Sequence, residues 1–211
     1  MKLNLTPYSE QKHCLPPEGK VVLAQYDDES IVVYQAYRPE IGLFAAKHNY
    51  FGGEFKLSRM SWIKPNFLWM MYRSGWGTKE GQEITLAVRI KREAFDFILS
   101  QAVHAKYSRQ YGSQQEWQKA VARSNVRLQW DPDRTPRGGR LQRRAIQLGL
   151  RKDILTCYSQ EWIIEVEDIS HFVSQQRQHL DKSDYGDLQV PIERVYPVEN
   201  PATASNLGIT N

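Results

Sequence analysis

Hydrophobic and polar positions alternate most regularly over residues 83–90, where Ile84, Leu86, Val88 and Ile90 fall on one face of a strand. Residues 21–26 and 31–37 are two further strand-type runs. The polar stretch Asp27-Asp28-Glu29-Ser30 between them predicts a turn, so the three together predict an antiparallel hairpin. Arg38-Pro39 ends the second run, because a residue before proline avoids the helical region. Pro39 followed by Glu40 opens a short helix that buries Ile41, Leu43, Phe44 and Ala45. Gly52-Gly53 marks a connection. An extended piece over residues 59–63 then leads to a helix with Pro65 as its first residue, running to about Arg73 and closed by Gly75 and Gly77.

Helical spacing returns in Phe95, Ile98, Leu99 and Ala102, which predict a helix over residues 92–104, and in Trp117 and Val121, which predict another over 116–123. Residues 126–130 read as a strand stopped by Asp131-Pro132-Asp133, where Asx hydrogen bonding predicts a turn. Beyond Gly138-Gly139, Leu141, Ala145 and Leu148 share one helix face and Arg140, Arg143, Arg144 and Arg151 another. Residues 162–166 predict a last strand and 169–180 a last helix. Short strands mixed irregularly with short helices predict an α+β class, a single domain with a small mostly antiparallel sheet. Residues 1–19, with Pro7, Pro16 and Pro17, read as an N-terminal arm. Residues 20–182 form the expected globular domain, and 183–211, with Pro191, Pro197 and Pro201, a loosely ordered tail.

Composition narrows the classes. Of 211 residues, 41% are hydrophobic and 25% charged, enough apolar content for one real core. No apolar run is long enough to span a bilayer, and the residues after Lys2 form no signal-peptide core, so no membrane partner is expected. Cys14 and Cys157 are two scattered thiols, too few for a zinc framework, and fit a reducing cytoplasm better. His48, His104 and His171 lie on predicted helices or helix ends and read as surface or partly buried histidines, not as metal ligands. No glycine-rich fingerprint joins a strand to a helix, which excludes the common dinucleotide and P-loop signatures.

The net charge of +4 is unevenly spread: residues 134–152 carry cations and no acid. That block is either a solvated helix face or, over residues 137–151, a basic face that meets nucleic-acid phosphates through Arg140, Arg143, Arg144 and Arg151. Residues 59–77 interleave Arg59, Lys64 and Arg73 with Trp62, Phe67, Trp69, Tyr72 and Trp76. Cations beside aromatic faces suit a nucleotide-like anionic ligand. The same stripe also fits a core element whose long cations reach outward to water.

Several stretches resemble the domain-of-unknown-function family numbered 4291 over roughly residues 20–180. They are Tyr34-Gln35-Ala36-Tyr37, the run from Arg59 through Met70, Arg73-Ser74-Gly75-Trp76, Gln129-Trp130-Asp131-Pro132-Asp133 and Arg144 through Leu150. That resemblance brings no assigned catalytic residues. A more distant similarity, to ADP-ribosyltransferases, matches Gln35 or Arg38 to the end of an early strand, Ser61 to a later one, and Glu83 to the glutamate that opens another. It implies NAD as cofactor. Glu83 would hold the nicotinamide ribose and stabilise positive charge as nicotinamide leaves. Arg38, Arg59, Lys64 and Arg73 would hold phosphates, and Tyr37, Trp62 or Trp69 would stack on the ring. The rival readings are a nucleic-acid-binding module using the 137–151 face, and an interaction domain whose tryptophans are core.

Overall fold

The computed structural model describes residues 3–181 and 185–209; the domain boundary expected between 182 and 183 lies outside the described residues. The chain forms an α+β fold of short helices and several small, mostly antiparallel sheets. A three-stranded antiparallel sheet runs in the order Ser30–Tyr37, Ile84–Lys91, Ile163–Asp168. The alternation over Ile84–Lys91 explains its central place. Leu86, Val88 and Ile90 enter one apolar core with Ile31 and Val33, while Ala87, Val32 and Tyr34 enter a second core on the opposite face. The helix Pro39–His48 lies against this sheet at Gly42, where an added Cβ would sit 2.5 Å from Ile84.

A four-stranded sheet has the order Ser61–Ile63, Arg140–Leu150, Val126–Arg134, Ala102–His104, antiparallel except for its last pair. The two sheets meet edge to edge at one bridge between Tyr34 and Lys64. There the Tyr34 N–H donates to the Lys64 carbonyl at 2.7 Å, and the Lys64 N–H donates back at 3.3 Å.

Several local expectations change. The helix expected after Gly138-Gly139 is the strand Arg140–Leu150. Its even positions Ile146, Leu148 and Leu150 face Trp130, Leu128 and Val126 across the ladder, and this pairing outweighs the helix propensity of its leucine, arginine and glutamine residues. Asp131-Pro132-Asp133 is not a terminating turn but part of Val126–Arg134. A register shift between Pro132 and Arg134 accommodates the proline, which has no N–H to give the ladder. The helix expected from Pro65 begins at Phe67, because Asn66 caps it: its side chain accepts from the Trp69 N–H at 2.7 Å. Residues 92–104 divide into the helix Arg92–Ser100 and the strand Ala102–His104, which pairs in parallel with Val126, Arg127 and Leu128. Of residues 21–26 only Leu23–Ala24 is a strand, and it pairs with Arg194–Val195; a Tyr26–Ile31 bridge closes the turn. The helix Lys152–Gln160 was not anticipated by the periodicity.

Both ends of the chain carry regular elements. Leu5–Pro7 pairs with Gln189–Pro191, a short helix covers Tyr8–Gln11, and Asn200 caps the helix Pro201–Leu207. Among the described residues no helix is long and apolar enough to cross a membrane.

Candidate functional site

A cleft of about 560 Å³ opens where the two sheet edges meet. Gln35 and Tyr37 come from the end of Ser30–Tyr37. Arg59, Ser61, Trp62 and Lys64 come from the edge strand opposite and its flanks. The helix Phe67–Ser74 turns Phe67, Met70 and Met71 into the core, leaving Tyr72 and Arg73 outward, with Arg73 on the cleft wall. Gln82, Gln129 and Gln147 complete the polar lining. Among the described residues its charged lining is Arg59, Lys64 and Arg73, with no carboxylate. Arg59 and Arg73 are exposed, and among the described residues their guanidinium groups make no hydrogen bond or ion pair. An adjoining cleft of about 440 Å³ shares Tyr37, Arg59, Met60 and Ser61 and adds Arg38, Glu54, Phe55 and Lys56.

Lys64 is only 5% exposed, yet no ion pair reaches it among the described residues. Its Nζ donates to the Trp62 carbonyl at 3.2 Å. Burial first, and then the nearby Arg73 charge, push its pKa down to about 7, against a smaller opposing pull from Asp131. Asp131 in turn accepts from the Gln129 side chain at 2.9 Å and from Gln147 at 2.7 Å, so the cleft glutamines tie this carboxylate in place.

Gln35 is a hub. Its Nε2 donates to the Tyr37 hydroxyl at 2.7 Å and to Ser61 Oγ at 2.9 Å, and its Oε1 accepts from the Tyr158 hydroxyl at 2.6 Å. Tyr37 and Ser61 are themselves 2.5 Å apart. With both ends of its amide engaged, Gln35 positions Tyr37 and Ser61 and has little capacity left for a ligand. Burial raises the Tyr37 and Tyr158 phenols, so both stay protonated hydrogen-bond donors across neutral pH. Trp62 lies opposite Gly149, where an added Cβ would meet the Trp62 ring at 3.0 Å and Met60 Sδ at 2.6 Å. The glycine is what allows that ring to lie across the strand.

Seven of the residues expected at a ligand site thus line one cleft: Gln35, Tyr37, Arg59, Ser61, Trp62, Lys64 and Arg73. Three lie elsewhere. Arg38 lines the adjoining cleft, where Glu54 and Glu40 pair with it. Trp69 is buried and stacked on Tyr72 at 5.4 Å; the Arg134 guanidinium lies 3.8 Å over the Tyr72 ring. Glu83 is half-buried in the loop after that helix; its Oε1 accepts from the Gly81 N–H at 2.8 Å, and among the described residues its Oε2 has no hydrogen-bond partner. Its carboxylate does not line the cleft, although its neighbour Gln82 does. Gln82, Gln129, Gln147 and Tyr158 were not anticipated. Gln129 and Gln147 are directly paired across the 126–150 hairpin, a relation visible only once that hairpin is assigned.

The basic block does not form one face. Arg143 is buried and bonds Asp133 at 2.5 Å, and Arg151 donates to the carbonyls of Val121, Ala122 and Ser124. Arg137 donates to the Leu180 carbonyl, and Arg140 and Arg144 are exposed.

A family model described as Domain of unknown function (DUF4291) matches residues 21–196, a span that takes in both sheets and the whole cleft. No curated protein matches the chain.

Proposed function

The chain belongs to that family, and we propose that its cleft binds a nucleotide-like anion, NAD being the first ligand to test and ADP-ribosyl transfer the reaction it would serve. One observation carries the reading: Arg59 and Arg73, with no protein partner among the described residues, share a polar cleft with Lys64, Ser61 and the Trp62 ring. Guanidinium groups of this kind suit pyrophosphate oxygens, which take two parallel N–H bonds. The transfer step rests on Glu83, the sequence neighbour of the lining residue Gln82, whose own Oε2 has no hydrogen-bond partner among the described residues.

Calorimetry of the full chain with NAD and with ADP-ribose tests the binding. Arg59→Ala and Arg73→Ala should each weaken binding about tenfold, the scale of one charge-assisted hydrogen bond. Absence of binding at millimolar ligand would remove the reading. Release of nicotinamide from NAD that survives Glu83→Gln would remove Glu83 from the chemistry. Binding of nucleic acid that weakens with salt and with Arg140→Ala and Arg144→Ala, while Arg59→Ala leaves it unchanged, would instead support the rival module.

A further inference from the structure

Lys64 is the cleft residue least suited to being a plain phosphate clamp. Its backbone is held on both sides, by the bridge to Tyr34 and by the strand Ser61–Ile63 pairing with Arg140–Leu150, so the side chain springs from a fixed point. Its amine has one acceptor, the Trp62 carbonyl, and no carboxylate in ion-pair range among the described residues. Arg59 and Arg73 already supply permanent positive charge to the same cleft. A buried amine beside two guanidinium groups is a nucleophile with an anion clamp next to it.

We propose that Lys64 forms an imine with a phosphate-bearing aldehyde, such as the open chain of an aldose phosphate, held in the cleft by Arg59 and Arg73. The inference rests on the anion-binding cleft proposed above. The Lys64 nitrogen lone pair attacks the carbonyl carbon. Both amine protons leave with the carbonyl oxygen as water, so amine and aldehyde become imine and water with no oxidant or reductant. The lowered Lys64 pKa supports the step. At pH 7.5 a group that titrates at about 7 is mostly free amine, whereas an ordinary lysine is roughly 0.1% free amine.

The test uses the full chain with pyridoxal 5′-phosphate as probe, followed by borohydride, which adds hydride to the imine carbon and fixes a secondary amine for peptide mapping. Lys64 should be labelled about tenfold or more faster than the exposed Lys12, Lys47, Lys56 and Lys79, with a pH midpoint near 7. Arg59→Ala and Arg73→Ala should slow labelling by pyridoxal phosphate but not by pyridoxal. Lys64→Met and Lys64→Arg should both abolish it, with thermal melts confirming that each variant folds. Labelling spread over the exposed lysines, or labelling of Lys64 that ignores both arginines, overturns the inference. NAD binding without Lys64 labelling would overturn the imine and leave the nucleotide reading standing; Lys64 labelling without NAD binding would do the reverse.

Discussion

A buried ammonium loses hydration that one carbonyl at 3.2 Å does not replace, and Lys64 carries that cost in a definite pH range. Its folded pKa of about 7 lies below the ordinary 10.5, so between those values the unfolded chain holds more protons than the folded one. Stability therefore rises with pH across that window, and the full penalty is present below it. Lys64→Met should stabilise the protein at pH 6 by about 1–4 kcal/mol and flatten the rise toward pH 10, read from urea midpoints. A variant less stable than the parent at pH 6 would contradict the burial argument. At Gln35 the expectation is opposite: Gln35→Leu leaves Tyr158, Tyr37 and Ser61 without their amide partner and should cost roughly 1–3 kcal/mol in the same measurement. Arg59, Ser61, Trp62, Lys64 and Arg73 were legible because they are close in sequence and chemically unusual together. The position of the Glu83 carboxylate off the cleft wall was not legible, because a glutamate before a strand says nothing about which way its side chain turns; here one of its oxygens accepts from the Gly81 N–H.

Among the elements, Arg140–Leu150 shows where periodicity fails. Leu141, Ala145 and Leu148 fit a helix, and Ile146, Leu148 and Leu150 fit a strand equally well, so only the partner strand decides. The two readings make different demands on the arginines. A helix would place Arg143 and Arg144 together on a wet face, whereas the strand buries Arg143 against Asp133 and leaves Arg144 exposed. Burial raises the Asp133 carboxyl even with that guanidinium beside it, a sign of how dry the pair is. Arg143→Ala should thus cost about 3–5 kcal/mol in urea unfolding and Arg144→Ala no more than about 0.5 kcal/mol. Equal small effects would favour the helix. Gly149→Ala, in the same strand, should push Met60 and Trp62 off the cleft wall, lowering stability by about 1–3 kcal/mol. By contrast Ile84–Lys91 was legible, because its alternation has no competing helical period.

For the molecule as a whole, the α+β class followed from the mixture of short elements, but the closure of the chain did not. Thr6 pairs with Val190, and no local pattern announces a partner so distant in sequence. The same closure brings Glu193 under the helix Phe67–Ser74. One of its oxygens accepts from the Phe67 N–H at 2.5 Å and the other from Asn66 at 3.0 Å, so the C-terminal segment caps the helix that carries Arg73. Burial raises the Glu193 carboxyl to about 8 from the ordinary 4.5, more than those two donors lower it. The folded protein then holds a proton that the unfolded chain releases, so this contribution to stability is complete below about pH 4.5 and is lost progressively as pH rises toward 8. Lys64 acts in the opposite sense from about 7 upward. The two slopes, from groups far apart in sequence, combine into a stability minimum near pH 7–8. Glu193→Gln should remove the fall between pH 5 and 8 at the cost of about 1 kcal/mol, because its new amide N–H₂ faces the Asn66 amide, whose oxygen is committed to the Trp69 N–H. Adding Lys64→Met should leave a nearly level profile from pH 5 to 10. A minimum that persists in the double variant would mean that other buried groups set the pH response, and that the contact between the C-terminal segment and the helix is not its source.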